Sequence, residues 1–257
     1  DTAVVDGPGA IAIQDEHRLR DGRFFRPFFG GIFLETELST SSRLFEFIFR
    51  MFSEGDTALP AQGMQAIPHQ LGHGLDVRLN TPVQVLPDGP TVVATEEPEA
   101  ARLLSAPAPQ SWRSVQCLYF GAEEAPISEP VLILNGDGSG PINNCCIPSS
   151  VSPAYAPAGA SLVSVSVLKQ EAATEAAVRA QLMDWFGPKV ARWQHLRTYS
   201  ILYAQPIQTS YQPGASRIRP GLYRCGDYME SASLDGALAS GGRAAQALIA
   251  DFERNLF

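Results

Sequence analysis

The sequence predicts an α/β fold with α+β character, and three observations carry that reading. A short apolar strand at Gly221–Cys225 ends in Gly226-Asp227 and feeds a long helix that opens at Ser233. The run from Ser161 to Leu168 alternates between polar and apolar residues through its centre, Val163 to Val167. That period of two marks a half-buried strand of an antiparallel sheet. Helix-rich and strand-rich stretches then alternate along all 257 residues, as interleaved sheet-and-helix layers require.

The elements follow in order. Residues 39–55 read as a helix that Ser39, Thr40 or Ser41 can cap and Gly55 ends. Leu44, Phe45, Phe47, Ile48, Phe49, Met51 and Phe52 cover more than one face of it. Burial in a core is the expected reason. The other reading is the wall of an apolar tunnel or a membrane-surface contact, to which Phe24, Phe25, Phe28 and Phe29 would add. Residues 63–74 read as a short helix interrupted by Pro68. Strands are expected at 76–86, 91–95, 115–121, 131–135, 161–169 and 195–204. Helices are expected at 96–104 and at 171–186, the latter stopped by Gly187-Pro188. The Pro/Ser/Ala-rich stretch 148–160 reads as a loop.

Composition narrows the function classes. The net charge is −8 and the pI about 5.0, so the chain offers no general nucleic-acid surface. With 45% hydrophobic and 18% charged residues it is of ordinary globular composition. No apolar run suggests a membrane span and no secretory signal is visible, so a cytoplasmic location is expected. Cys117, Cys145, Cys146 and Cys225 lack zinc-site spacing and are expected as reduced thiols. His69 and His73 stand four apart, but no Glu lies between them in the HExxH pattern and no third ligand is evident; no metal is expected.

The last forty residues carry the chemistry. Gly226 allows close approach to the main chain just after the strand. Asp227 sits at the strand's carboxyl end, where open α/β sheets bind ligands. Ser233 is a good N-cap, and Asp235 suits the first turn. The N–H groups of Leu234, Asp235 and Gly236 are expected to face a ligand. Gly236, Ser240, Ala244 and Leu248 recur every fourth residue, a stripe suited to close packing. Gly241 and Gly242 fall in mid-helix, where each costs roughly 1 kcal/mol against alanine, so a packing or functional reason is expected.

The Gly226-Asp227-Tyr228 strand end, the Ser233-Leu234-Asp235-Gly236-Ala237 helix start and Ser240-Gly241 resemble the carboxyl-terminal FAD-binding segment of the flavin-containing amine oxidase superfamily. The phytoene desaturase and protoporphyrinogen oxidase branch is the most similar. Arg26-Pro27-Phe28-Phe29-Gly30-Gly31, Leu38-Ser39-Thr40-Ser41-Ser42, the Leu59–Pro68 stretch and Val92-Val93-Ala94-Thr95 support it, and the resemblance spans about 23–257. It implies a partial FAD-binding, Rossmann-like domain at 55–104 and 221–257. A mixed-sheet substrate domain at 23–54 and 105–220 is interleaved with it, after a divergent segment at 1–22. It implies that Asp227, after Gly226, anchors the ribityl or pyrophosphate region. The helix opening at Ser233, with Leu234, Asp235 and Gly236, then faces the flavin pyrimidine edge. Val83 is the further cofactor position so implied, and Ala204-Gln205-Pro206 is similar to a segment that reaches the flavin region in relatives.

One departure is severe. Family members begin with a Gly-x-Gly-x-x-Gly turn that cradles the pyrophosphate. The nearest stretch here, Asp6-Gly7-Pro8-Gly9-Ala10-Ile11, places a proline between two glycines and so removes an amide. The expectation is a FAD-dependent oxidoreductase module acting on an apolar small molecule, with its N-terminal FAD-binding portion missing. The alternative is a non-catalytic truncated or degenerate homologue, a scaffold or partner subunit without FAD.

Overall fold

The structure is a computed structural model that describes residues 22–107, 111–168, 174–208 and 214–254. The Asp6–Ile11 turn, the first residues of the helix expected at 171–186 and the end of the strand expected at 161–169 lie outside the described residues. Helices and two sheets are mixed, as an α/β fold with α+β character requires. Two compact units are present. The first takes in the described residues up to Ser39 with Glu46–Val77 and Ser114–Leu202; the second takes in Thr40–Phe45, Arg78–Arg113 and the chain from Tyr203 onward.

The first unit is built on a five-stranded sheet. Its strands are β2 (Trp112–Ala122), β3 (Leu132–Leu134), β4 (Asn144–Cys146), β5 (Ser161–Val167) and β6 (Gln194–Pro206), in the order β3-β4-β5-β2-β6. β5 pairs antiparallel with β2 and β4, placing Val165 opposite Leu118 and Cys145. The alternation in β5 works as the sequence implies: Val163, Val165 and Val167 are fully buried, whereas Leu162, Ser164 and Ser166 face the other way. Helix Glu175–Phe186 covers the apolar face through Val178 and Leu182, both fully buried. Each such side chain contributes roughly 1.5–3 kcal/mol over leaving it exposed. Thr174 caps the helix by accepting from Ala177 N at 3.2 Å, and Gly187 ends it at φ 80°.

The aromatic segment forms helix α1 (Phe25–Phe33). Phe28, Phe29 and Phe33 are buried, and Phe29 stacks on Phe25 and Phe33. Helix α2 (Ser42–Glu54) corrects an expectation. Leu44 is its only buried residue, while Phe45, Phe47, Phe49 and Met51 are exposed, so α2 is not a core helix. Contacts do form along part of it, with Phe52 meeting Phe28 and Phe49 meeting Phe29. Helix α3 (Ala66–Leu71) is not interrupted by Pro68. That proline falls in the first turn, where its missing N–H has no intrahelical acceptor to lose.

Three further corrections follow. Residues 76–86 form no strand: Val83 and Val85 are exposed, and no neighbouring strand takes up their backbone groups among the described residues. The stretch 148–160 is not all loop. It holds the short helix Pro148–Val151 and a 3-10 turn Pro153–Tyr155, with Ser149 Oγ accepting from Leu162 N at 3.0 Å. β4 had no expectation at all.

The second unit has a three-stranded sheet in the order β1-β8-β7, where β1 is Thr91–Val93, β7 is Arg217–Arg219 and β8 is Leu222–Arg224. β1 and β8 run parallel, with Val92 opposite Tyr223, and β7 is antiparallel to β8. Helices cover both faces. On one side Ala100 of α4 (Glu97–Leu103) packs with Val93 and Leu222. On the other, Ala244 of the twenty-residue helix α7 (Leu234–Glu253) packs with Tyr223 and Cys225. We number Pro148–Val151 as α5 and Glu175–Phe186 as α6. The far end of α7 is fixed by Asp251, whose Oδ2 accepts from Tyr223 Oη and Arg217 Nε, each at 2.6 Å.

Candidate functional site

The site assembles in the second unit, where the parallel strands β1 and β8 end side by side. β8 runs out through Cys225 to Gly226, Asp227 and a 3-10 turn, Asp227–Met229. Gly226 is needed for a different reason from the one expected. Its backbone is extended, a conformation any residue adopts, but a Cβ there would run into the ring of Tyr228. Tyr228 itself is held by its hydroxyl donating to Cys225 O at 3.3 Å.

Asp227 is half-buried. Its Oδ1 accepts from Tyr228 N at 2.9 Å, and no ion pair engages it among the described residues. Burial pushes its carboxyl above the usual carboxylate range, and the Glu96 carboxylate adds to that. Glu97, at the start of α4, is pushed up by burial as well, with Asp227 adding, while Trp112 and Arg224 pull it down. The buried Nε1 of Trp112 falls short of hydrogen-bond geometry, and so does the buried Nε of Arg224. Burial also raises the Tyr228 phenol to about 12. The end of the sheet therefore holds two partly buried carboxylates, Asp227 and Glu97, with the buried N–H donors of Trp112 and Arg224 left without a hydrogen-bond acceptor among the described residues.

The turn from Asp227 to Ser233 is braced from three sides. Gly226 N donates to Ser240 Oγ at 2.9 Å. Arg243 of α7 donates to Met229 O at 3.2 Å and forms an ion pair with Glu230. From the end of β6, Gln205 Nε2 donates to Ala232 O at 3.0 Å; Gln208 Oε1 accepts from Ala232 N at 2.9 Å and its Nε2 donates to Glu230 O. Ser240, Arg243, Gln205 and Gln208 were not found in the sequence as site-building residues. Ser240 had a signal in its place in the small-residue stripe, and Gln205 one in the Ala204-Gln205-Pro206 segment.

Ser233 caps α7 by accepting from Gly236 N at 3.0 Å. This corrects the expectation of three amides facing a ligand: the Gly236 amide is used by the cap. Those of Leu234 and Asp235 have no partner among the described residues, and both residues are exposed. Gly236 is obligatory, because a Cβ would overlap Ser231 O. The stripe is real: Gly236, Ser240 and Ala244 are buried and Leu248 packs beside them. Gly241 and Gly242 differ, since a Cβ on either meets nothing within 4 Å. The packing reason expected for them is absent among the described residues.

The fold thus brings Gly226, Asp227, Ser233, Leu234, Asp235 and Gly236 to one end of the unit. It does not bring Val83 there. The Val83 carbonyl accepts from Arg102 Nη2 at 2.9 Å, at the far end of α4 from Glu97. A helix of seven residues separates those ends by about 10 Å. Two cavities of the first unit lie elsewhere: one of about 430 Å³ between Glu35–Glu37 and the loop 135–143, another an open groove over Tyr119, Leu196 and Tyr199. Among the described residues no group of three or more His, Cys, Asp or Glu is placed to hold a metal, and no helix is long and apolar enough to cross a membrane. The four cysteines are unbridged.

β8 thus ends in a half-buried carboxylate beside a capped helix whose Leu234 and Asp235 amides have no partner among the described residues. The sequence matches the flavin containing amine oxidoreductase family over residues 10–99 and 90–249. The chain belongs to that family. An oxidoreductase from Methanosarcina mazei has a similar fold, with a TM-score of 0.61 at 15% identity over 87% of this chain and 64% of that one. A putrescine oxidase redesigned for cofactor binding gives 0.61 at 17%, over 94% and 66%. A putative protoporphyrinogen oxidase from Exiguobacterium sp. 255-15 gives 0.51 at 15%, over 74% and 51%. The chain spans between half and two-thirds of the length of these three structures. No curated protein sequence matches it.

Proposed function

We propose that the second unit is the carboxyl-terminal part of a FAD site. On that reading the chain serves an oxidoreductase of the phytoene desaturase and protoporphyrinogen oxidase branch. The observation that carries the proposal is the pairing of Asp227, which no ion pair engages among the described residues, with the open amides of Leu234 and Asp235 on a helix capped by Ser233. These residues fit the cofactor. A half-buried carboxylate accepts from ribityl hydroxyls, and a helix N-terminus carries about half a positive charge for the pyrimidine edge. FAD, when bound, supplies the acceptor for a hydride taken from the substrate.

The chain's own residues orient and dry the site. Tyr228 and Trp112 wall the end of the sheet, and Arg243, Gln205 and Gln208 fix the turn that carries Asp227. The exposed aromatic side chains of α2 support an apolar substrate.

Absorbance and equilibrium dialysis with FAD test the reading. The purified chain should be yellow or become so, and Asp227→Ala should weaken retention by roughly 10- to 150-fold, the loss of a hydrogen bond to a charged group worth about 1.5–3 kcal/mol. A folded, colourless chain that takes up no FAD would favour the scaffold or partner-subunit alternative.

A further inference from the structure

The cavity of about 430 Å³ in the first unit is left unused by the flavin reading. Its walls belong to that unit alone: the start of α1, the turn Glu35–Glu37 and the loop 135–143 between β3 and β4. These walls are braced. Leu34 takes a left-handed conformation at φ 52° and turns the chain back, so that Glu35 N donates to Gly30 O at 3.0 Å. Arg26 Nη1 donates to Thr36 O at 3.0 Å, and Glu35 Oε2 accepts from Ser39 N and Oγ at 2.9 and 2.6 Å. Gln181 of α6 fixes the loop: its Nε2 donates to Ser139 O at 2.8 Å and its Oε1 accepts from Ile142 N at 2.9 Å. Gly140 stands at φ 71°, and a Cβ there would run into Gln181.

Two asparagines decide what such a cavity can bind. Asn135 is only 8% exposed, and its Nδ2 donates to Ser139 O and Ile142 O at 2.7 and 2.6 Å. Asn143 Nδ2 donates to Pro27 O at 3.0 Å. A carbonyl needs a donor, so both amides are turned with nitrogen toward the main chain and oxygen away from it. Both residues line the cavity, and neither Oδ1 has a partner among the described residues or is sealed from solvent. A buried amide oxygen weakens the fold unless a donor reaches it. Charge points the same way. Glu35, Glu37 and Asp137 line the cavity against Arg26, which is exposed and turned onto Thr36 O. Asp137 makes no ion pair among the described residues. Pro27, Ile142 and Leu168 supply the apolar part of the lining.

We propose that this cavity is a ligand site of the first unit and that it takes a primary alkylammonium ion. The ammonium head donates to Asn135 Oδ1, Asn143 Oδ1 and the Asp137 carboxylate, and the alkyl body lies on Pro27, Ile142 and Leu168. Three N–H donors on one positive charge match two amide oxygens and a carboxylate, whereas an alcohol brings one donor and no charge. Size argues against a bare metal ion: a water molecule takes about 30 Å³ of the liquid, so an ion would leave most of the 430 Å³ unfilled. A cleft of several hundred Å³ with a few fixed polar groups is the usual form of a small-molecule site. The inference rests on the first unit alone and not on flavin binding.

The test titrates the full 257-residue chain, without FAD, with n-hexylammonium chloride and follows it by calorimetry and nitrogen-15 NMR. Saturable one-to-one binding is expected, with a dissociation constant of about 1 mM or tighter. Shifts should fall on the side-chain amides of Asn135 and Asn143 and on Gly136 and Gly138. Matched titrations with n-hexanol, hexanoate and calcium chloride should give no saturable shifts there. Asp137→Lys should weaken binding roughly tenfold or more. Glu124→Lys is the control for general charge. It lies beyond Ala122, which pairs with Ser161, whereas Asn144 at the end of the loop pairs with Ser166. Five residues of strand put it about 17 Å away, so binding should stay within roughly twofold. Asn135→Ala should abolish the shifts; Asp137→Lys, at an exposed loop position, decides the matter if Asn135→Ala does not fold by circular dichroism. No saturable binding, equal binding of n-hexanol, calcium taken up in place of the ammonium ion, shifts that miss the loop, or indifference to Asp137→Lys would overturn the proposal. FAD uptake is scored in a separate titration, so failure of one reading does not carry the other.

Discussion

Replacing Gly236 by alanine tests whether the start of α7 is held as described. The added Cβ would overlap Ser231 O and lie 2.7 Å from Ser231 Oγ and 2.9 Å from Ser231 C. Ser231 is buried, and its carbonyl accepts from Ser233 N at 2.7 Å, so it cannot swing away without loosening the cap. Overpacking of this kind costs about 1–3 kcal/mol. The disturbed hydrogen bond adds about 1 kcal/mol. The helix-propensity gain of alanine over glycine offsets roughly 1 kcal/mol of that. The net expectation is a loss of about 1–3 kcal/mol in urea unfolding, read as a lower midpoint at unchanged slope. Gly242→Ala on the same helix supplies the contrast. Its Cβ meets nothing, so the chain alone should gain roughly 1 kcal/mol. Equal stability of Gly236→Ala and Gly242→Ala would refute the close approach of Ser231 to α7, and with it the geometry of the candidate site.

Two pH predictions follow from carboxylates shifted in opposite directions. Burial raises the folded-state pKa of Asp227 above its unfolded value, so the charged form weakens the folded chain at neutral pH. Asp227→Asn should therefore stabilise the flavin-free chain at pH 7, and the advantage should vanish as pH falls below about 3.9, where both states are protonated. Asp251 runs the other way: Arg217 first, then Tyr223, hold its carboxyl below the usual range. Its contribution is present above the unfolded value and is lost as pH falls through the folded one, so Asp251→Asn should destabilise at pH 7 and match the parent chain in strong acid. Urea melts across pH 3–8 check both; parallel pH profiles for parent and variant would contradict the corresponding assignment.

What was legible in the sequence follows from local physics. Ser233 as cap, Gly236-Ser240-Ala244 as buried stripe and Val163-Val165-Val167 as buried strand each obey a short-range rule, and tertiary packing agrees with it. Residues 76–86 show the limit. Val83 and Val85 alternate as a strand would, but a strand exists only where a neighbour takes its backbone groups. Helix α2 shows another: its apolar residues signal that something covers them, without saying whether this unit does. The braces of the candidate site were hidden because Gln205 and Gln208 lie more than twenty residues from the turn they hold. Glutamines at that separation leave no periodic trace.

The most direct test of the account follows the backbone amides of the chain by nitrogen-15 NMR as FAD is added. The account predicts saturable shifts at Leu234 and Asp235, with Asp227 and Tyr228 moving alongside and Gly136 and Gly138 unmoved. Saturable binding that leaves Leu234 and Asp235 in place would contradict it.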